Sequence, residues 1–314
     1  MDTRSRFLGT RRSLHPCLLP AVLALLLGSG CSMKTVAANK LGDALAQGGT
    51  TFSGDDDPDL IRAAVPFSLK LMESLLNASP RHPGLLLATA SGFTQYSYAF
   101  VQQEADELED KDVAAATHMR ERARRLYLRA RSYGLRGLEV THPGFETALR
   151  ANPKEVMQST RPADVPLLYW TAASWAAAIS ILKDDASLIA DLPLVEAMID
   201  RALELDEQFD HGTLHAFLIT YDMSRQTGSG DPEVSARKHF VRAVELSGGQ
   251  MAGPYLSLAE AVSLIKQDRA EFETLLHQAL AIDPDTKPAG RLVNLVMQRR
   301  ARWLLTRTNQ LFVD

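Results

Sequence analysis

Ala202-Leu203-Glu204-Leu205-Asp206, Ala243-Val244-Glu245-Leu246-Ser247 and Ala279-Leu280-Ala281-Ile282-Asp283-Pro284 are three copies of one phrase. Each ends an apolar-periodic stretch and runs into turn residues. Their first residues, Ala202, Ala243 and Ala279, are spaced by 41 and 36 positions. Looser copies are Leu75-Leu76-Asn77-Ala78-Ser79-Pro80 and Gly137-Leu138-Glu139-Val140. A period of roughly 34–45 residues marks stacked helix pairs, because one pair cannot bury its apolar face alone. The early copies are more widely separated than the late ones. The first half therefore uses longer helices and insertions, and the expected fold is all-α: an irregular solenoid of helix pairs.

Working outward, the chain reads as helix from Pro58 to its end, with no period-2 alternation long enough for a strand. The pattern predicts helices over 58–79, 83–109, 112–140, 163–183, 192–207, 211–227, 231–247, 253–267, 269–282 and 286–308. Pro80, Pro83, His142-Pro143-Gly144, Arg161-Pro162, Gly228-Ser229-Gly230 and Gly248-Gly249 punctuate them. The segment 142–162 breaks the period and is expected to hold a short extra helix. Asp57 before Pro58 is helix-start chemistry. The alternative, a calcium loop at Asp55-Asp56-Asp57, lacks the alternating ligand spacing and the distal Glu.

The N-terminus is a separate object. Arg4, Arg6, Arg11 and Arg12 precede an apolar run from Cys17 to Leu27, followed by Gly28-Ser29-Gly30-Cys31-Ser32. That is the order of a secretory signal, and the run is too short to span a bilayer. A Cys after small residues predicts a signal over 1–30, lipidation at Cys31, a tether over 31–57 and a helical domain over 58–314. Simple cleavage without lipid is the other reading, and Arg11-Arg12 adds a weak twin-arginine hint. Ser32 rather than Asp after the Cys favours the outer membrane, and a lipid-anchored periplasmic protein is the expectation. Removing Cys17 with the signal leaves no second thiol for a disulfide.

The whole chain carries a formal charge of −4 and its first thirty residues contain four Arg against one Asp. The remainder is therefore at −7, without a basic stripe, which argues against nucleic acid. No nucleophile elbow, phosphate-cradling loop, dinucleotide fingerprint or His-Glu-x-x-His pair occurs. No catalytic residue, cofactor or metal is assigned. His211 and His215 have zinc-pair spacing, but Gly212 stands where a metalloprotease needs Glu. His215 is read as a packed, hydrogen-bonded residue or as part of a cleft.

With aromatics at 7% of the chain, their two clusters carry information. One holds Phe93, Tyr96, Tyr98 and Phe100. The other holds Tyr169, Trp170 and Trp175 among Ala172, Ala173, Ser174, Ala176 and Ala177. Both fit interlocked repeat packing, and both fit a ligand pocket, which needs apolar walls with polar tips. The basic run Arg120–Arg131 faces the acidic run Glu104–Asp110 in sequence order, which predicts solvated ion pairs. The sharper reading makes Arg129 an anchor for an organic anion. Gln298-Arg299-Arg300-Ala301-Arg302-Trp303 could meet a partner or cap the solenoid.

The blocks Gly92–Asp110, Arg122–Glu139, Asp164–Ser180, Arg201–Ile219, Ala236–Glu260, Glu271–Asp283 and Arg291–Leu305 occur in an order that resembles the T component of tripartite ATP-independent periplasmic (TRAP) transporters. The resemblance runs from about residue 60 to the end. It implies a tetratricopeptide-like helical fold, a lipid anchor in the cell envelope and no catalysis. It also implies association with a periplasmic solute-binding protein, assembly as a homotrimer, and a cleft or channel. Tyr96, Tyr98, Arg129, Tyr169, Trp170, Trp175 and His215 are the candidate residues for a small hydrophobic or anionic ligand. A general envelope-assembly scaffold without a ligand is the competing expectation.

Overall fold

The computed structural model describes residues 35–46, 49–182, 185–224 and 230–313. The signal over 1–30, Cys31 and the Gly228-Ser229 turn lie outside the described residues. Among those described there is helix and no strand. In chain order the helices are α1 (35–46), α2 (Gly49–Ser53), α3 (Pro58–Ala78), α4 (Pro83–Ser97), α5 (Gln103–Leu108) and α6 (Val113–Thr141). Then come α7 (Phe145–Ala151), α8 (Pro153–Met157), α9 (Val165–Ile181), α10 (Ala186–Ile189), α11 (Leu192–Leu205) and α12 (Thr213–Ser224). The last are α13 (Pro232–Ser247), α14 (Gly253–Leu258), α15 (Arg269–Ala281), α16 (Arg291–Thr306) and α17 (Thr308–Leu311).

Aspartate starts many of these helices. Asp57 Oδ1 accepts from the amides of Asp59 and Leu60 at 3.0 Å each, which settles the Asp55–Asp57 run as a cap. Asp112, Asp231 and Asp268 do the same for α6, α13 and α15. Each such cap is worth about 1 kcal/mol, because it satisfies donors that the first turn leaves orphaned. At the other end of α13, Gly248 takes φ +64° and its neighbour's amide reaches back to the Val244 carbonyl at 2.8 Å. This is the left-handed stop that glycine adopts without steric cost.

The structure differs from the sequence expectation in four local places. The expected tether contains α1 and α2, and Ala38 is buried. The expected helix over 83–109 carries a π-helical turn at Tyr98–Gln102, and that over 253–267 carries another at Ala259–Ser263. The segment 142–162 holds two short helices, α7 and α8.

Neighbouring helices pack in sequence order: α3 on α4, α4 on α6, α6 on α9, α9 on α11, α12 on α13, α14 on α15 and α15 on α16. The approach of α6 to α9 is intimate because Gly134 and Gly137 leave room for Thr171 and Leu167. The stack does not stay open. Helix α16 returns to α2 and α3, and Arg291 donates to the Gly54 carbonyl at 3.1 Å.

That closure gives the acidic run its partners. Arg299 pairs with Glu107 at 3.0 Å, Arg300 with Asp106 at 3.0 Å, and Arg307 with Asp110 at 2.7 Å. The basic helix α6 supplies Arg120, which meets Asp106 and Glu109. The expected pairing of α6 with the acidic run is therefore confined largely to that residue. Of the arginines read as a partner face or a cap, Arg299 and Arg300 pair with a segment almost two hundred residues earlier, whereas Arg302 is exposed. Arg300 also holds Glu260 at 2.7 Å, so one guanidinium bridges the two segments that carry the π-helical turns.

Candidate functional site

The closed stack surrounds a cavity of about 1280 Å³. This exceeds the roughly 300–1,000 Å³ of ordinary small-molecule pockets. The space exists because two helices turn small side chains toward it. On α4 these are Gly84, Ala88, Ser91 and Gly92; on α9 they are Ala173, Ala176, Ala177 and Ser180. Both sets follow the helical spacing of i, i+3/i+4 and i+7 that builds one face. Ile61, Val65, Leu69 and Met72 of α3 and Leu292, Val293, Val296 and Met297 of α16 complete apolar walls. Residues of α1 and α2, including Leu45 and Phe52, line it too.

Polar groups interrupt the walls at a few points. Tyr98 sits in the first π-helical turn and faces the cavity. Burial pushes its phenol up to about 12, with the Glu260 carboxylate adding and Arg300 opposing. Tyr127 lines the cavity from α6 and donates to Gln102 Oε1 at 2.7 Å; burial raises its phenol well above the ordinary value. Tyr169 is also pushed up to about 12 by burial, opposed by a hydrogen bond with Thr213 and reinforced by the Asp210 carboxylate. All three phenols are therefore neutral at physiological pH and offer hydrogen bonds without charge.

One end of the cavity is aromatic. Tyr169 meets Trp170 edge-on at 4.8 Å between centroids and Phe217 at 6.2 Å, and Phe217 stacks on Tyr221 at 5.3 Å. These four rings all line the space. The turn before α12 brings Asp210 and His211 beside them, exposed and with φ of +43° and +57°. Gly212 follows at φ +88°, and a side chain there would press on Leu246 of α13 at 3.0 Å. Glycine alone suits both the backbone and the close approach. The left-handed turn thus sets the cavity mouth.

Of the sequence candidates, Tyr96, Tyr98, Tyr169 and Trp170 line the cavity. Tyr96 packs against Phe100 with centroids 5.8 Å apart, and Arg122 donates to its hydroxyl at 3.4 Å.

The other three candidates lie elsewhere. Arg129 does not line the cavity: its Nε pairs with Glu73 at 2.5 Å and its guanidinium lies over Phe93 at 5.1 Å. Burial acts most strongly on Glu73 and would raise its pKa. Hydrogen bonds from Lys70 and Tyr133 and the Arg129 charge outweigh it, so the carboxyl lies below its usual range. Trp175 is 0% exposed, with Arg131 at 4.6 Å and Arg150 at 5.6 Å from its ring.

His215 faces His239 across α12 and α13, the two Nδ1 atoms 2.7 Å apart. Glu207 lies at 3.4 Å from the outer nitrogen of His215, and Asp222 at 3.4 Å from that of His239. Burial, then the His239 charge, lowers the pKa of His215. His211 looks into the cavity while His215 packs on α13, so the two do not converge on a metal. Among the described residues no three His, Cys, Asp or Glu side chains are grouped to hold one.

Several lining residues were not foreseen: Gln95, Gln102, Tyr127, Glu196, Phe217, Tyr221 and the α16 wall. A signal existed for some. Phe217 and Tyr221 stand at i and i+4, and the Gly/Ala/Ser stripes of α4 and α9 have helical spacing. Nothing local marked α16, because it reaches the cavity only through closure of the stack.

A sequence profile of the TRAP transporter T-component family matches residues 54–312. An uncharacterized protein of Treponema pallidum (strain Nichols) is 29% identical over 312 residues, covering 94% of this chain and 97% of that protein. The chain belongs to the TRAP transporter T-component family.

Proposed function

We propose that this T component is a non-enzymatic periplasmic accessory protein that holds a small apolar ligand in its cavity and exchanges it with a solute-binding protein. Lipid on Cys31 anchors it, in the outer membrane where the host has one, and copies of the chain associate, as a trimer by resemblance to the family. Tyr96, Tyr98, Tyr169 and Trp170 contact the ligand, while Arg129, Trp175 and His215 hold the walls in place. Family membership supports the transport role. The observation that carries the ligand reading is the cavity itself: about 1280 Å³ of space walled by small and apolar side chains in a closed stack. A purely protein-binding scaffold has no need of such space, since its concave groove serves a partner from outside. Among the described residues no helix is long and apolar enough to cross a membrane. The proposed mechanism is binding and hand-off.

The test is to tag the full-length protein in its native host, crosslink gently, and identify what co-purifies by mass spectrometry. Native mass spectrometry of the same preparation reports any retained small molecule. A solute-binding protein as dominant partner, with an extractable apolar compound, is the expected result. Cell-wall or outer-membrane assembly proteins, with no solute-binding protein and an empty cavity, would sink the proposal in favour of a scaffold.

A further inference from the structure

Helix α1 has an inner and an outer face of unlike character. The inner face is docked on the body. Ala38 is buried, and a side chain at Gly42 would stand 2.6 Å from Leu85 of α4. Leu45 packs on the same cluster as Met72 and Leu75 of α3. His82 Nε2 lies 3.2 Å from the Asn39 carbonyl and 3.2 Å from Asp43 Oδ1. These contacts fix the helix to the start of α4, and its last residues, Ala44, Leu45 and Ala46, line the chamber.

The outer face is exposed and largely apolar. Val36, Ala37, Lys40 and Leu41 are all exposed and recur at i, i+1, i+4 and i+5, which puts them on one side of a helix. Val36 is 51% exposed and Leu41 47%. Lys40 is the one charge among the four. A lysine so placed lays its stem along apolar surface and lifts its ammonium to the polar boundary.

What covers this face follows from the length of chain before it. Residues 32–34 alone separate Cys31 from α1. Fully extended, the four steps from Cys31 to residue 35 span at most about 14 Å. That is less than the length of α1 itself, roughly 18 Å for residues 35–46. Lipid on Cys31 therefore brings the bilayer surface within one helix length of α1. The body occupies the inner side of the helix, and the outer side is the one left to meet the lipid. An apolar helix face carrying a lysine settles at the boundary of headgroups and acyl chains.

We infer that the outer face of α1, formed by Val36, Ala37, Lys40 and Leu41, rests on the phospholipid surface and sets the orientation of the body upon it. This rests on the reading of Cys31 as a lipid anchor and adds the surface that the anchor brings to the membrane. The chamber wall contributed by α1 then lies on the lipid side of the molecule.

The test exploits the cysteine count. With Cys17 removed and Cys31 carrying lipid, an introduced cysteine is the sole free thiol and can hold a nitrobenzoxadiazole fluorophore. Val36→Cys, Leu41→Cys and a reference, Val241→Cys on α13, which is 54% exposed, are made in the full-length lipoprotein. Each is processed in a bacterial host, labelled, and reconstituted into phosphatidylethanolamine–phosphatidylglycerol vesicles with or without phosphatidylcholine that carries a doxyl group high on its acyl chain. Both α1 probes should shift to shorter wavelength and lose intensity to the doxyl lipid; the Val241 probe should do neither. Leu41→Asp placed in the Val36→Cys chain should return its probe toward the solvent spectrum while the protein still floats with the vesicles. Unquenched, solvent-like α1 probes in a chain that floats would overturn the inference and leave the anchor intact. A blue shift without quenching would seat protein on the face, a second copy or another chain, and would overturn it too. Equal quenching at Val241 would show that no face is preferred, with the same consequence. A chain that lacks lipid on Cys31 by mass spectrometry and does not float would remove the anchor, and the inference with it.

Discussion

Helix α9 presents two faces built from nearly the same residues. One face carries Thr171, Ala172, Trp175 and Ala178, all at 0% exposure. Gly134 of α6 lies against Thr171, and two guanidiniums flank Trp175. The other face carries Tyr169, Trp170, Ala173, Ala176 and Ala177 and looks into the cavity. Aromatic and small residues alternate on both. The helix is apolar nearly all round, so periodicity cannot tell a packed face from an open one. What distinguishes them is the neighbour: a glycine-bearing helix close on one side, and a second small-residue stripe across a gap on the other.

This contrast can be broken by substitution. The largest effect is expected for Trp175→Ala, at about 3–5 kcal/mol of stability, read by urea unfolding with circular dichroism. It deletes a fully buried ring and leaves Arg131 and Arg150 without their shared surface. A cost no greater than that of Trp170→Ala would erase the difference between the faces.

Next in size is Gly134→Ala. The added methyl would overlap Thr171 Oγ1 and stand 3.3 Å from its Cα. Overpacking of this kind costs about 1–3 kcal/mol, partly offset by alanine's helix propensity, worth about 1 kcal/mol. Thr171→Ala in the same chain should recover part of the loss, since the two positions touch and their effects are not additive. Additive costs would show that the clash lies elsewhere.

On the open face, Ala176→Leu should change stability by less than about 0.5 kcal/mol, as at a surface site. It should nevertheless weaken binding of an alkyl probe by filling the chamber. A large loss of stability instead would mean that this face is packed.

The smallest effect concerns pH and the second packed region, the α12–α13 joint that holds His215. Burial and the His239 charge lower the pKa of His215 in the fold. The unfolded chain therefore binds the proton more readily. The stability from this group is fully present above the ordinary histidine range of about 6.5 and is lost as pH falls from there toward the lower folded value. Glu207, Asp222, His239 and Arg242 surround the pair. His215→Asn should flatten stability against pH between neutrality and mild acid. An unchanged slope in this variant would remove His215 as its source.

Much of the helical fold could be read before any coordinates. The predicted helix over 58–79 is α3, that over 231–247 is α13 and that over 269–282 is α15, each within a residue at both ends. Their starts rest on Asp side chains and Pro rings, and the stop of α13 rests on Gly248. All of these act within one turn of the chain. The π-helical turns at Tyr98 and Ala259 left no such mark, since each adds a residue to a turn without a breaker. Of the seven candidate site residues, Tyr96, Tyr98, Tyr169 and Trp170 reach the cavity and Arg129, Trp175 and His215 do not. A helix shows its residues in every direction, and which direction is open depends on what packs beside it.

The sequence by itself determined that this chain is all helix, where most helices begin and end, that they stack as pairs, and that the blocks resemble one transporter family. These follow from capping, propensity and an apolar period, all local forces. Only the tertiary structure decided that the stack closes, that Arg299, Arg300 and Arg307 turn inward to the acidic run, and that two small-residue stripes face each other across a chamber. Those outcomes depend on helix rotation and on charges paired across almost two hundred residues, which no local pattern encodes.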